Sequence, residues 1–367
     1  MWFAKLKRRI AKYSPQIRLA SKIVFPLIFI TLLFKIVWPY FVLATQALTG
    51  PVNVVSVFFP KETTLLSDQG RTNVLLLGIG GGNHEGPDLT DSMMLLSINT
   101  DPKRSDHPPI VLISIPRDIY LNSISDKVNS AYYVGNEKRP GSGFILAKSV
   151  VSQITGLSVH YSFLVDFSGF EKAIDLLGGV DVNIEQTLDD PQYPIAGKEN
   201  DLCALPAEQM EETYTCRYEN LHFAAGLTHL DGAQSLKFVR SRHTLGSEGT
   251  DFARAKRQQL LLLAVKNKVF SSEILLNPTA MSNVFNTFKN HISTDISPNE
   301  MAVFLKLAIK NKSGAFKSLV LDDQFFVNPP IDYRGWILLP KDGSFDEIHQ
   351  YIQKFLEQTD SPSKKQN

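Results

Sequence analysis

NVLLLGIGGG (73–82) reads as a strand running into a turn. The apolar run before Gly78 has the pattern of a strand buried on both faces, and Gly80, Gly81 and Gly82 then form a glycine-rich turn. Working outward, a second strand is expected from Met93 to Asn99 and a third from Ile110 to Ile115, stopped by Pro116. A helix is expected from Gly143 to Thr155 and a strand from His160 to Phe167. Gly169 to Leu177 reads as a helix broken by Gly178-Gly179, and Val180 to Ile184 as a short strand. This alternation predicts a three-layer α/β/α sandwich.

Residues 186–220 are polar, contain prolines and both cysteines, and read as a surface excursion or insertion. Helices are expected from Asp231 to Val239, with Asp231 as N-cap, from Asp251 to Phe270, from Pro298 to Lys310 and from Phe345 to Leu356. Strands are expected near Ser318 to Leu321 and Gly335 to Leu339. The domain is thus read as 71–358, with a loose polar tail at 359–367. Cys203 and Cys216 are read as a disulfide, because an isolated pair on the oxidising side of a membrane pairs more readily than it binds metal.

That compartment follows from the first 61 residues, which hold nine Lys or Arg and no Asp or Glu. Fifteen Ile, Val, Leu or Phe lie between Ile23 and Ala44, a span of roughly 33 Å as helix. Their insertion gains about 4–9 kcal/mol, against about 3 for the single Lys35. The expectation is a basic cytoplasmic segment at 1–22, a transmembrane helix at 23–45, an extracytoplasmic stalk at 46–70 and the remainder outside. A cleaved signal peptide is disfavoured by the length of the apolar run. Residues 62–367 carry 29 basic and 37 acidic side chains, which excludes a nucleic-acid binder with a basic body.

The arginines carry the chemical signal. Arg240 and Arg242 are two apart, so an extended segment aims both guanidinium groups one way. Arg254, Arg257 and Gln258 share a helix face one turn after Asp251. Arg117, with Asp118 beside it, follows a strand end, where ligands of open α/β sheets collect. Planar guanidinium forks suit phosphate oxygens, so the set points to an oligo-anion; the bland alternative is a solvated helix face with Asp251 paired to Arg254. Asp88 and Asp91, between the first two strands, suggest Mg²⁺ bridging phosphate oxygens, or simply turn-forming carboxylates. No GKS/T, HExxH or GxSxG pattern and no helix-turn-helix is found. Leu260 to Leu263 and Phe238 are read either as core or as the lining of an apolar groove.

LTDSMMLLSIN (89–99), ISIPRDIY (113–120), KVNSAY (127–132), VDFSGF (165–170), DLLGGVDVNI (175–184), LTHLDGAQSLKFVRSRH (227–243) and DFARAKRQQ (251–259), with the opening stretch, resemble the LytR-CpsA-Psr family. The resemblance implies a central mixed β-sheet and an extracytoplasmic phosphotransferase. Such an enzyme takes a glycopolymer from its polyprenyl-pyrophosphate carrier and links it to peptidoglycan through a phosphodiester. It implies that Arg117, Arg240, Arg242, Arg254, Arg257 and Gln258 surround the pyrophosphate, that Asp91 is the Mg²⁺-associated acid, and that Asp118 and Asp251 are further functional acids. Many members have an acidic residue at the position of Gly80 and an arginine at that of Leu89; Asp88 is read as the substitute carboxylate. A pyrophosphatase acting on the same carrier, or a non-catalytic sensor of lipid-linked sugars, are the competing readings.

Overall fold

The computed structural model describes residues 63–82, 86–104, 107–198, 200–203, 214–275, 291–311 and 316–358. The expected segments 1–22 and 23–45, the first part of the stalk and the tail at 359–367 lie outside the described residues. Among those described, no helix is long and apolar enough to cross a membrane.

The chain begins with strands β1 (Arg71–Ile79), β2 (Thr90–Asn99) and β3 (Ile110–Ser114), followed by a small hairpin, β4 (Tyr120–Leu121) and β5 (Asp126–Lys127). Helices α1 (Ala131–Lys138) and α2 (Gly143–Thr155) lead to β6 (Tyr161–Asp166), α3 (Phe167–Leu176) and β7 (Val180–Ile184). Next come β8 (Leu188–Pro194), β9 (Tyr218–Phe223), β10 (Gly226–Leu230), α4 (Gly232–Arg240) and α5 (Asp251–Val269). The last elements are β11 (Ile292–Thr294), α6 (Pro298–Lys310), β12 (Phe316–Val320), β13 (Phe326–Val327), β14 (Leu339–Pro340) and α7 (Asp346–Glu357).

Six strands form a mixed central sheet in the order β11-β6-β1-β2-β3-β12. β2 runs antiparallel to both β1 and β3, whereas β6 and β12 run parallel to their neighbours β1 and β3. Side chains alternate across the sheet. On one face Leu75, Leu77, Leu95 and Ile113 pack with Ala147, Val151 and Ile154 of α2 and with Ile348 and Ile352 of α7. Each buried aliphatic side chain is worth about 1.5–3 kcal/mol. On the other face α5 lies against the sheet, where Gln259 Nε2 donates to Ser114 Oγ at 2.7 Å, and α6 reaches Tyr161 through Phe304 in an edge-on ring contact. Helices therefore cover both faces. A second core joins α3, α4, α5 and β7 to the ribbon β8–β9, with Ile174, Val182, Leu188, Phe223, Phe238 and Leu261 buried together.

Local signals set the helix ends. Asp231 and Gln234 form a capping box at α4, and Ser297 with Glu300 another at α6, whose first residue is Pro298. Gly156 ends α2 in the left-handed region, as its φ of 71° shows.

Three expectations are corrected. The surface excursion at 186–220 opens and closes as the antiparallel ribbon β8–β9, with Leu188, Asp190, Tyr193, Leu221 and Phe223 buried. Its polar residues disguise a period-two pattern that faces the second core. The described end of the stalk is part of the domain: Leu66 N–H donates to the Tyr161 hydroxyl at 2.9 Å and the Leu66 carbonyl accepts from Thr72 Oγ1 at 2.9 Å. The strand expected from Gly335 to Leu339 is confined to Leu339–Pro340, because Asp332 to Gly335 closes a tight turn. Cys203 and Cys216 are disulfide-bonded, with Cα atoms 5.5 Å apart.

Candidate active site

Because β2 opposes its neighbours, its first residues lie at the sheet end where β1 and β3 finish. Asp91 at the start of β2 and Arg117 just past β3 therefore meet, and their side chains form an ion pair. Pro116 ends β3, and the loop that follows is pinned by main-chain bonds from Asn129 N–H to the Arg117 carbonyl (3.2 Å) and from Val128 N–H to the Ile119 carbonyl (2.7 Å). Thr90 Oγ1 donates to the Asn129 carbonyl, tying β2 to the same turn. Asp118, largely buried, takes Lys127 Nζ at 2.8 Å and lies 3.5 Å from Arg117 Nε. That Nε is buried and has no hydrogen-bond partner among the described residues.

Across the cleft, Thr250 caps α5 by accepting from Ala253 N–H, which places Asp251 in the first turn and Arg254 one turn on. Asp251 Oδ1 receives Arg254 at 2.8 Å and lies 3.7 Å from Arg242. Gln258 Nε2 donates to Ser92 Oγ at 2.8 Å. Asp91, Arg117, Asp118, Asp251, Arg254 and Gln258 line one cleft together with the apolar rim residues Phe252, Val320 and Leu338. The guanidinium of Arg254 is buried, and loss of hydration lowers its pKa to about 10; Asp251 and Asp91 oppose that shift, while the positive charges of Arg117 and Arg242 add to it. A buried cation beside two others raises the positive potential of the cleft, which Asp91 and Asp251 offset in part.

The loop bearing Arg242 is built from below. Asp190 is fully buried, and its Oδ2 accepts from Ser241 Oγ (2.7 Å), Arg242 N–H (3.1 Å) and His243 N–H (3.2 Å). Arg257 is buried beneath the same loop. It donates to the carbonyls of Phe238, Ser241 and Glu248 and to the Glu248 carboxylate at 2.7–3.1 Å. Burial lowers its pKa and Glu248 opposes the shift. Gly249 is required here, since a Cβ would stand 2.3 Å from the Thr244 carbonyl oxygen.

The sequence-predicted residues thus divide. Asp91, Arg117, Asp118, Arg242, Asp251, Arg254 and Gln258 converge on one place. Arg257 does not face the cleft: its guanidinium is committed to protein acceptors and braces the Arg242 loop. Arg240, at the end of α4, lies over the Phe167 ring with 4.7 Å to its centroid, outside the residues that line the cleft. Asp88 sits exposed in the turn before β2 and is not among the residues that line the cleft. Among the described residues, no three acidic, imidazole or cysteine side chains of the cleft lie close enough to share one ion; the one group that does is Asp201 with the disulfide-bonded Cys203 and Cys216. Phe238 and Leu261 belong to the second core. Sequence reasoning missed Asp190, concealed in a polar stretch, and Lys127, which stood unremarked in the KVNSAY motif.

A family model described as the LytR_cpsA_psr family matches residues 49–327. The polyisoprenyl-teichoic acid–peptidoglycan teichoic acid transferase TagU of Bacillus cereus is 28% identical over 247 residues, covering 65% of this chain and 65% of its own length. The protein of the same name from Oceanobacillus iheyensis is 29% identical over 246 residues, covering 66% of this chain and 64% of its own. The chain thus spans just under two thirds of the length of these curated relatives. The crystal structure of B. subtilis TagV superposes with a TM-score of 0.53 at 19% identity, over 80% of this chain and 100% of that one, so the fold is shared. With the family match running through well over half of its residues, the chain belongs to the LytR_cpsA_psr (LytR-CpsA-Psr) family.

Proposed function

We propose that the protein is an extracytoplasmic phosphotransferase that moves a glycopolymer from a polyprenyl-pyrophosphate carrier to peptidoglycan and leaves a phosphodiester link. The observation that carries this reading is the group Arg117, Arg242 and Arg254, held by Asp91 and Asp251 around a cleft in which Arg254 is stripped of water. Three cations gathered at such a cost suit the two phosphates of a lipid diphosphate. The TagU relatives, named as transferases of polyisoprenyl-linked teichoic acid to peptidoglycan, support the same chemistry.

In the proposed reaction an acceptor sugar hydroxyl attacks the phosphorus that bears the glycan. The new P–O bond forms as the bond to the bridging oxygen breaks, and polyprenyl phosphate departs with the electron pair. Arg254 and Arg242 hold the charge that grows on the departing phosphate, while Arg117, its Nε free to donate, fixes the phosphoryl group being transferred. The hydroxyl proton passes to Asp91 or Asp118, the cleft carboxylates beside Arg117, and substituting each by Asn decides which.

Asp91 is the carboxylate suited to Mg²⁺, an ion that needs only one or two carboxylates beside substrate phosphates and water. When bound, Mg²⁺ neutralises negative charge on phosphate oxygens. The apolar run at 23–45 supports a single span with the N-terminus in the cytoplasm, which keeps enzyme and carrier at one membrane surface.

The test is incubation of the full chain with a lipid-diphosphate-linked glycan, with and without peptidoglycan. Acceptor-dependent formation of a glycan–peptidoglycan phosphodiester is expected. Release of phospho-glycan at the same rate without acceptor makes the protein a pyrophosphatase, and binding without turnover makes it a sensor.

A further inference from the structure

The segment 328–338 lies beyond the residues matched by the family model. It crosses the rim of the cleft. Leu338, which lines the cleft, donates its N–H to the Asp118 carbonyl at 2.9 Å, and its own carbonyl accepts from Tyr120 N–H at 3.0 Å. Asn328 Nδ2 closes the base of the loop on the Ile337 carbonyl at 2.7 Å, and Gly335 N–H closes its tip on the Asp332 carbonyl at 2.9 Å. The loop is therefore a braced structure.

What it displays is apolar and aromatic. Tyr333 at the tip is 93% exposed, Ile331 74% and Trp336 52%. Arg334, paired with Asp332 at 2.7 Å, lies between two rings, 5.1 Å from the centroid of Tyr120 and 5.9 Å from that of Tyr333. Fully exposed aromatic rings cost hydration free energy, and holding them with a cation between two faces presents flat surfaces with wet edges.

We infer that this loop and Tyr120 form the docking surface for the acceptor glycan strand. The inference rests on the transferase reading and adds the acceptor subsite to it. The acceptor becomes covalently joined at the phosphorus in the cleft, so its next sugar rings must lie over the nearest rim. The rim at Leu338 adjoins Asp118, on the wall opposite α5 and Arg254. Pyranose rings offer flat C–H faces to aromatic side chains and hydroxyls to a neighbouring ion pair, and the loop supplies both. A bilayer surface is the competing occupant; the Asp332–Arg334 pair among the rings favours sugar.

The experiment titrates the full chain in detergent micelles with the β-1,4-linked tetramer of N-acetylglucosamine, read by tryptophan fluorescence. Trp336 is the one tryptophan outside the first 38 residues. Saturable binding is expected, weakened at least tenfold in Tyr333→Ala and retained in Tyr333→Phe. It should be unchanged in Arg254→Met, which disables the phosphate site, so that failure of the transferase reading leaves a separate signature. In turnover assays Tyr333→Ala should raise KM for the peptidoglycan acceptor and leave KM for the lipid-linked donor alone. Equal tetramer binding by the native chain and Tyr333→Ala overturns the inference, as does a shift in donor KM instead of acceptor KM. Absence of tetramer binding overturns it too, and if native protein then binds phosphatidylglycerol vesicles through Tyr333, the loop is a membrane contact.

Discussion

Replacing Arg254 by Met should leave the ligand-free protein at least as stable as the native one while removing most of its affinity for a diphosphate. The pKa of Arg254 falls from the ordinary guanidinium range to about 10, chiefly through lost hydration. That difference corresponds to about 3 kcal/mol of unfavourable free energy held in the folded state at neutral pH. The sign is that of a base whose pKa is depressed by folding: the penalty is fully present below pH 10 and is relieved as pH rises above it. Met keeps the aliphatic stem and discards the charge, and Asp251, a third exposed, keeps Arg242 nearby. If a bound diphosphate restores the normal pKa, the same 3 kcal/mol appears as roughly two hundredfold in Kd. The assay is thermal unfolding of the full chain in micelles against inorganic pyrophosphate. The native protein gains about 2.7 kcal/mol at one hundred times Kd, and Arg254→Met gains little at the same concentration. Affinity of the native protein should also weaken as pH passes 10. The reasoning is refuted if Arg254→Met loses more than about 2 kcal/mol without ligand and still responds fully to pyrophosphate.

The buried carboxylate of Asp190 should matter to stability first: Asp190→Asn is expected to cost about 3 kcal/mol in urea unfolding and to raise KM for the donor, because it loosens the backbone of Arg242 and His243. Arg257→Gln should cost about 3–5 kcal/mol, leaving Glu248 without its buried partner, whereas Arg242→Gln should change stability by less than about 0.5 kcal/mol and still impair donor binding. Reduction of the Cys203–Cys216 bond should lower stability by about 3 kcal/mol in the chain-entropy picture and leave turnover at 25 °C unchanged, as measured by unfolding and activity with and without reductant.

Where periodicity and end signals coincided, the sequence was readable to the residue. The helix Gly143–Thr155, the strand Val180–Ile184 and the helix Pro298–Lys310 appear with the expected bounds, each marked by glycine, proline or a capping serine. The helix Ala131–Lys138 was not seen, since its stretch AYYVGNEK has almost no apolar period. In the cleft, charge type and strand-end position were enough to gather Asp91, Arg117, Asp118, Arg242, Asp251 and Arg254. Arg257 shows the limit. Three residues on from Arg254 is about 60° around the helix and 4.5 Å along it, close enough to share a face by spacing and far enough to point into the protein. Only the carbonyls that converge on it, supplied by two distant loops, settle its role.

The direction of β2 has a further consequence. Because β1 and β2 are adjacent and antiparallel, the connection from Ile79 to Thr90 starts and ends at the same end of the sheet, the one that carries the cleft. A change in its length or sequence should therefore be felt at the mouth of the cleft before it reaches the packing of α2 and α7.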